Sequence, residues 1–471
     1  MLRVIVLVLV MALAAMTPLQ AVAQDGAYQD PEGRFTAPIP EGWRDESTDA
    51  YGHFAGGEPE ADIYVLAVEA DDVQAGIGAA LSLIDPDFAV EPVQTVDAPL
   101  PNGTWTQNLY AVASGEIVAA LGQVQGGVTC VAVLRGAPAA AQAANSTFLG
   151  VLTGIAFAGV EAVSPPYVDM DAFEEREITF GLEGWELPGT LTLPVGAGPF
   201  PAVVLVHGSG PNDRDETLGP NQPFRNLAWG LASNGVAVLR YDKRTRVYTE
   251  ELAEMGDLTL DDETVDDALA AVEFLRGVED IDPARIFVLG HSLGGHAAPR
   301  IGARDPDIAG LIILAGFTRP FEDIILEQSN YTAEVDGEVS AVEAARIEAI
   351  EAEVARIKAL TPESDAGGLL LGAPAAYWLD LAAHDPVATA QTLTMPMLIL
   401  QGERDYQVTM ADFQNWQDGL GDRDNVTLAS YPALNHLFIA GEGVITPEEY
   451  AVPGFVAEEV VTEIAAWVLA Q

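Results

Sequence analysis

The hexapeptide Gly290-His291-Ser292-Leu293-Gly294-Gly295 sets a serine between glycines two residues to either side. This G-x-S-x-G spacing is what a nucleophile needs at a sharp strand-to-helix turn, because side chains at the glycine positions would clash. The flanking residues suit that turn: 285–289 read as a strand and 293–303 as a helix. Ser292 would then stand at the top of a sheet, beside a helix N-terminus that favours negative charge. The bland alternative is a glycine-rich turn carrying an idle serine.

A serine hydroxyl is a weak nucleophile and needs a base. Six histidines are available. His291 adjoins the nucleophile and points away from it in such an elbow, and His296 lies on the following helix. His207 belongs to a different motif, His53 to a different domain, and His384 to an inserted region. His436, in a loop before the last helix, remains as general base and then general acid. A third group must fix its tautomer and stabilise the imidazolium. The apolar run 397–400 leads into Gln401-Gly402-Glu403-Arg404-Asp405, and an acid just past a strand end is where such a group is expected. Asp405 is the first choice and Glu403 the second; Arg404 pairing with one of them is the bland reading of the cluster.

A tetrahedral intermediate needs two N–H donors. Leu293, the residue after the nucleophile, supplies one. The other is expected from Ser209, in the loop His207-Gly208-Ser209-Gly210-Pro211-Asn212-Asp213-Arg214-Asp215 that follows the apolar run 202–206. Ser209 lacks a following helix and is not read as a nucleophile.

The elements that must position these residues form the second of two expected domains. Apolar runs alternate with helical patterns: 202–207, 227–233, 236–241, 265–277, 286–290, 293–303, 311–315, 397–401 and 456–469, led by a hairpin at 177–180 and 187–193. This alternation predicts an α/β fold with a doubly wound, mainly parallel sheet and ligands at the strand carboxyl ends. Residues 320–389 interrupt it with Ile347, Ile350, Val354, Ile357 and Leu360 at three- and four-residue steps, an amphipathic helix in an insertion. A lid over the site is the functional reading, and packing on neighbours the plain one. Tyr377, Trp378 and Leu379 within it are read as acyl-pocket lining or as core.

Residues 24–160 read as a smaller α+β accessory domain, with strands at 62–69, 104–113, 116–123 and 128–135 and helices at 73–84 and 137–157. Residues 161–176, with Pro165-Pro166, read as a linker, and 177–471 as the catalytic domain. Residues 1–23 read as a cleavable signal peptide, with Arg3, an apolar stretch 4–15 and Ala21-Val22-Ala23, implying a periplasmic or secreted protein without a membrane anchor. Cys130, the only cysteine, reads as a buried thiol.

The chain has 71 acidic and 21 basic residues, a net charge of −50. Such a field repels phosphate backbones and anionic lipid, so nucleic acid and acidic membranes are poor partners. No cofactor and no metal are expected, since neither ligand spacing nor a phosphate-cradling loop occurs.

Three segments together, HGSGPNDRDE at 207–216, YDKR at 241–244 and GHSLGG at 290–295, resemble bacterial α/β-hydrolase esterases and serine aminopeptidase-like hydrolases. Thr245 departs from the glycine usual after YDKR. The segment FTAPIPEGW at 35–43 resembles the opening of PsbP-like domains. The resemblance implies an α/β-hydrolase cleaving small to medium acyl esters through an acyl-enzyme, with activity falling as His436 is protonated. A peptidase or amidase with the same residues is the alternative, and a non-catalytic binding protein the second.

Overall fold

The computed structural model describes residues 27–471 apart from 41, 71, 101–102, 113–114, 126–127, 158–163, 254, 336 and 365–367. Residues 1–23, read above as a signal peptide, therefore lie outside the described residues. The chain divides into two compact units between Gly159 and Val160.

In the first unit, strand alternation builds one sheet with two apolar faces. Val131 and Val133, with Leu66 and Val118, pack under Ile77 and Leu81 of the helix Val73–Ile84, which Asp72 caps by accepting the Ala75 N–H. Cys130, Ala132 and Leu134 face the other way, onto Phe148, Val151 and Leu152. Burial raises the Cys130 thiol pKa, so it stays a protonated thiol. The sheet is antiparallel and seven-stranded, and includes Gly52–Gly56 and Gln94–Leu100, which the sequence patterns did not single out. The expected single helix 137–157 is instead two, Pro138–Ala143 and Asn145–Thr153, followed by a strand Ala156–Phe157. That strand pairs with Phe35–Pro38, which adds a third partner to a small separate sheet. His53, set aside above as lying in the other domain, contacts Asp62 at 2.7 Å and stacks on Tyr64.

The second unit holds one eight-stranded sheet. Its strands are β1 (Phe173–Leu182), β2 (Trp185–Pro194), β3 (Phe200–Val206), β4 (Ala237–Tyr241), β5 (Ile281–His291), β6 (Gly310–Leu314), β7 (Met397–Gly402) and β8 (Val426–Tyr431). They lie in the order β1-β2-β4-β3-β5-β6-β7-β8. All pairings from β4 to β8 are parallel, while β1 and β2 join antiparallel at one edge. The central strands are buried along both faces, as Phe287, Val288 and Leu289 of β5 illustrate, because helices cover each side.

Those helices are α1 (Pro223–Ser233), α2 (Asp266–Arg276), α3 (Leu293–Arg304), α4 (Phe321–Glu334), α5 (Ala341–Lys358), α6 (Ala375–Ala383), α7 (Pro386–Thr392), α8 (Met410–Leu420) and α9 (Glu458–Ala470). Helices α4 to α7 form the insertion between β6 and β7. Helix α5 carries the expected apolar stripe, with Ile350, Val354 and Ile357 buried, whereas Leu360 falls just beyond its end. Strand β8 and helix α8 were not anticipated: β8 is a half-exposed edge strand with little apolar run to mark it. Strand β1 begins at Phe173, inside the stretch read as linker, and Tyr167 O–H donates to the Val456 carbonyl at 2.7 Å.

Candidate active site

Strand β5 ends at His291 and α3 begins at Leu293, leaving Ser292 alone at the corner. Its backbone has φ 53° and ψ −113°, a left-handed conformation that costs about 1–3 kcal/mol for a residue with a Cβ. The surroundings enforce it. Ser292 N–H donates to the Leu314 carbonyl at 2.9 Å, tying the corner to β6. A Cβ on Gly290 would lie 2.0 Å from the Gly294 oxygen, and one on Gly294 would lie 2.2 Å from the Val206 oxygen. Only glycine admits the crossing of β5, α3 and β3 this closely. Ser292 itself stays partly exposed.

Strand β7 delivers Asp405 three residues past its end. Asp405 Oδ1 accepts the N–H groups of Gln407 (2.7 Å) and Val408 (3.0 Å). Its Oδ2 accepts from Gln401 Nε2 at 3.1 Å and from His436 Nδ1 at 2.6 Å, with both partners buried. His436 therefore presents Nε2 as its free nitrogen. Its loop is shaped by Asn435, whose Oδ1 accepts the N–H groups of Leu437 and Ile439 at 3.0 and 3.1 Å. Glu403 turns elsewhere and accepts from Ser430 Oγ. Arg404 pairs with neither acid; it reaches Glu449 at 2.6 Å, correcting the expected local pairing. Among the described residues no hydrogen bond joins Ser292 Oγ to His436; such bonds commonly tighten only when substrate is bound.

The loop after β3 runs beside Ser292: a Cβ on Gly208 would meet Ser292 Cβ at 3.2 Å. Ser209 N–H has no hydrogen-bond partner among the described residues and is half-exposed. Leu293, the first residue of α3, carries an N–H without an intrahelical acceptor, as every helix start does. Two unpaired donors thus flank Ser292.

Three residues holding this arrangement escaped sequence reasoning. Glu216, at φ 51°, accepts the Gly208 N–H at 2.6 Å with Oε1 and lies 2.9 Å from His291 Nδ1 with Oε2. His291, expected only to point away from Ser292, donates from Nε2 to the His436 carbonyl at 2.9 Å. Burial opposes charge on both, yet their mutual attraction prevails, raising the His291 pKa and lowering that of Glu216. The third is Lys243, whose Nζ donates to the Gly208 carbonyl at 2.8 Å. The remaining motif residues interlock: Arg214 with Asp242, Asp215 with Arg240, and Arg244 with Asp267. Thr245, the departure from the usual glycine, donates its hydroxyl to the Gly210 carbonyl at 3.2 Å.

From the insertion, Tyr331 stacks on Tyr406 and Gln328 Nε2 donates to the Gln407 carbonyl, so α4 rests on the loop carrying Asp405. Tyr377 and Trp378 are buried: Tyr377 O–H donates to Glu263 and Trp378 Nε1 to the Leu370 carbonyl. Among the described residues, no group of three His, Cys, Asp or Glu side chains is placed to hold a metal ion.

Two other buried histidines bear on stability. Burial pushes His207 down to about 4 and His296 down to about 3, the latter aided by His384. Both are neutral in the fold and protonate near pH 6.5 when unfolded. Their stabilisation is complete above that pH and is lost as pH falls toward 4 and then 3. Each contributes a slope of about 1.4 kcal/mol per pH unit in that window. Urea midpoints are expected to drop steeply from pH 6 to 4, and His207→Phe to make that slope shallower.

The strand order, with a serine corner after its fifth strand, defines an α/β-hydrolase. Residues 199–442 match the family described as serine aminopeptidase, S33, and the chain belongs to that family. It is similar to Esterase EstD of Thermotoga maritima, with 44% identity over 305 residues, spanning 65% of this chain and 70% of the relative. Similar solved structures include Est1E from Butyrivibrio proteoclasticus, at 18% identity and TM-score 0.41, covering 63% of this chain and 99% of that one. An esterase from Pyrobaculum calidifontis gives 19% identity and TM-score 0.42, covering 63% and 85%.

Proposed function

We propose that this chain is an exported serine esterase in which Ser292 is the nucleophile, His436 the base and Asp405 the residue that orients it. The chain is a carboxylic ester hydrolase; its likeness to Esterase EstD supports the ester as the bond cleaved. The observation carrying the residue assignment is the buried Asp405–His436 bond at 2.6 Å, joined to the corner through the His436 carbonyl, which accepts from His291, the residue before Ser292.

In the proposed cycle, Ser292 Oγ attacks the ester carbonyl while His436 Nε2 takes its proton. The developing oxyanion accepts from Ser209 and Leu293 N–H, the two donors left unpaired. His436 returns the proton to the leaving alcohol, and water then releases the acid from the acyl-enzyme. Export rests on residues 1–23, and the mature protein is expected to begin at Gln24. No helix among the described residues is long and apolar enough to cross a membrane.

The test is turnover of p-nitrophenyl esters from acetate to decanoate, beside aminoacyl p-nitroanilides. Short and medium esters are expected to be cleaved and the amides poorly. Preferential cleavage of the amides would replace the esterase with a peptidase using the same residues.

A further inference from the structure

We propose that Lys243, Glu263 and Tyr377 are positioning residues that aim the Ser209 N–H at the oxyanion. This rests on the serine esterase reading above.

The argument begins with a single peptide plane. The bond between Gly208 and Ser209 is trans, so the Ser209 N–H points opposite to the Gly208 carbonyl. Whatever holds that carbonyl therefore sets the direction of the N–H. Lys243 Nζ donates to it at 2.8 Å and Asn212 Nδ2 at 3.2 Å, both from the side away from a free donor. The preceding N–H is fixed too, by Glu216. Gly208 has no Cβ to steady it and lies against Ser292, so its orientation depends on these bonds.

Lys243 is one of only two lysines among 71 acidic residues, and it is 2% exposed. Its ammonium is compensated by Glu263 Oε1 at 2.6 Å. Glu263 sits in a π-helical turn, Asp261–Val265, just before α2. Its other oxygen accepts from Tyr377 O–H at 2.5 Å, and Tyr377 belongs to α6 of the insertion. A continuous buried chain thus runs from the insertion through Tyr377, Glu263 and Lys243 to the Gly208 carbonyl. None of the three side chains needs to touch substrate. Their effect is transmitted to one N–H, and it is felt only when negative charge develops on the substrate oxygen.

The experiment compares the mature wild-type protein with Tyr377→Phe and with Lys243→Met/Glu263→Gln. The double variant removes both charges together, leaving no buried ion unpaired. Its kcat on p-nitrophenyl butyrate is expected to fall about 10²–10³-fold, the effect of losing one oxyanion donor, with KM within about threefold. Tyr377→Phe is expected to lose about tenfold in kcat on the same logic. Affinity for an aryl trifluoromethyl ketone, which forms a tetrahedral oxyanion on the serine, falls in parallel with kcat in both. A folded double variant with kcat and ketone affinity near wild type overturns the proposal. If the double variant does not fold, Tyr377→Phe decides: lowered thermal stability with unchanged kcat and ketone affinity overturns it. Ser292→Ala, run alongside, separates the two levels. An inactive Ser292→Ala with unaffected variants defeats only the positioning role, whereas an active Ser292→Ala defeats the esterase reading and this proposal together.

Discussion

Ser292→Ala is expected to lower kcat for ester hydrolysis about a million-fold while leaving the fold intact. The size follows from what is removed. Without Oγ no acyl-enzyme forms, and His436 and Asp405 lose the group they serve. Residual turnover would come from the Ser209 and Leu293 amides and from binding alone. Alanine also relieves nothing that holds the corner together: the φ of 53° is imposed by the glycines and by the Ser292 N–H bond to Leu314, both of which persist. Stopped-flow or steady-state assays on p-nitrophenyl esters, with circular dichroism to verify the fold, provide the check.

Asp405→Asn is expected to cost about 10⁴-fold in kcat, although it changes only one atom. The reason lies in the hydrogen bonds around the carboxylate. Oδ1 accepts two backbone N–H groups, from Gln407 and Val408, so the asparagine oxygen must occupy that place. Its NH₂ is then forced toward His436 Nδ1, where it donates instead of accepting. The imidazole would adopt the tautomer with hydrogen on Nε2, which has no lone pair to take the Ser292 proton. The same NH₂ would oppose the donor Gln401 Nε2, which would keep only the Gly402 and Val408 carbonyls as acceptors. Kinetics of the variant, with heteronuclear NMR of the His436 ring nitrogens to read the tautomer, would decide it. A kcat within tenfold of wild type would remove Asp405 from the proposed role.

How much of this was legible in the sequence depended on the range of the physics involved. The corner at Ser292 was readable because its demand is local: two glycines within two residues, each required because a Cβ there would fall 2.0–2.2 Å from a backbone oxygen. The alternation of apolar runs gave the sheet for a similar reason, since each central strand is buried on both faces. Asp405 and Glu403 could not be separated by spacing. The difference between them is a turn in which Asp405 caps two N–H groups while Glu403 leans out to Ser430. Lys243, Glu216 and His291 were unreadable as positioning groups because their partners, Gly208 and the His436 carbonyl, lie up to 145 residues away. Helix 137–157 was overextended because its alanine-rich composition hides the break at Ala144, and because Phe157 pairs with Phe35, a partner local periodicity cannot show.

The most direct test of the central claim is intact-mass analysis of the protein after a fluorophosphonate, followed by peptide mapping. A single adduct on Ser292, absent from Ser292→Ala and strongly slowed in Asp405→Asn, is the predicted result. A folded protein that hydrolyses esters yet takes no label, or takes it at another residue, would contradict the assignment of Ser292 as nucleophile.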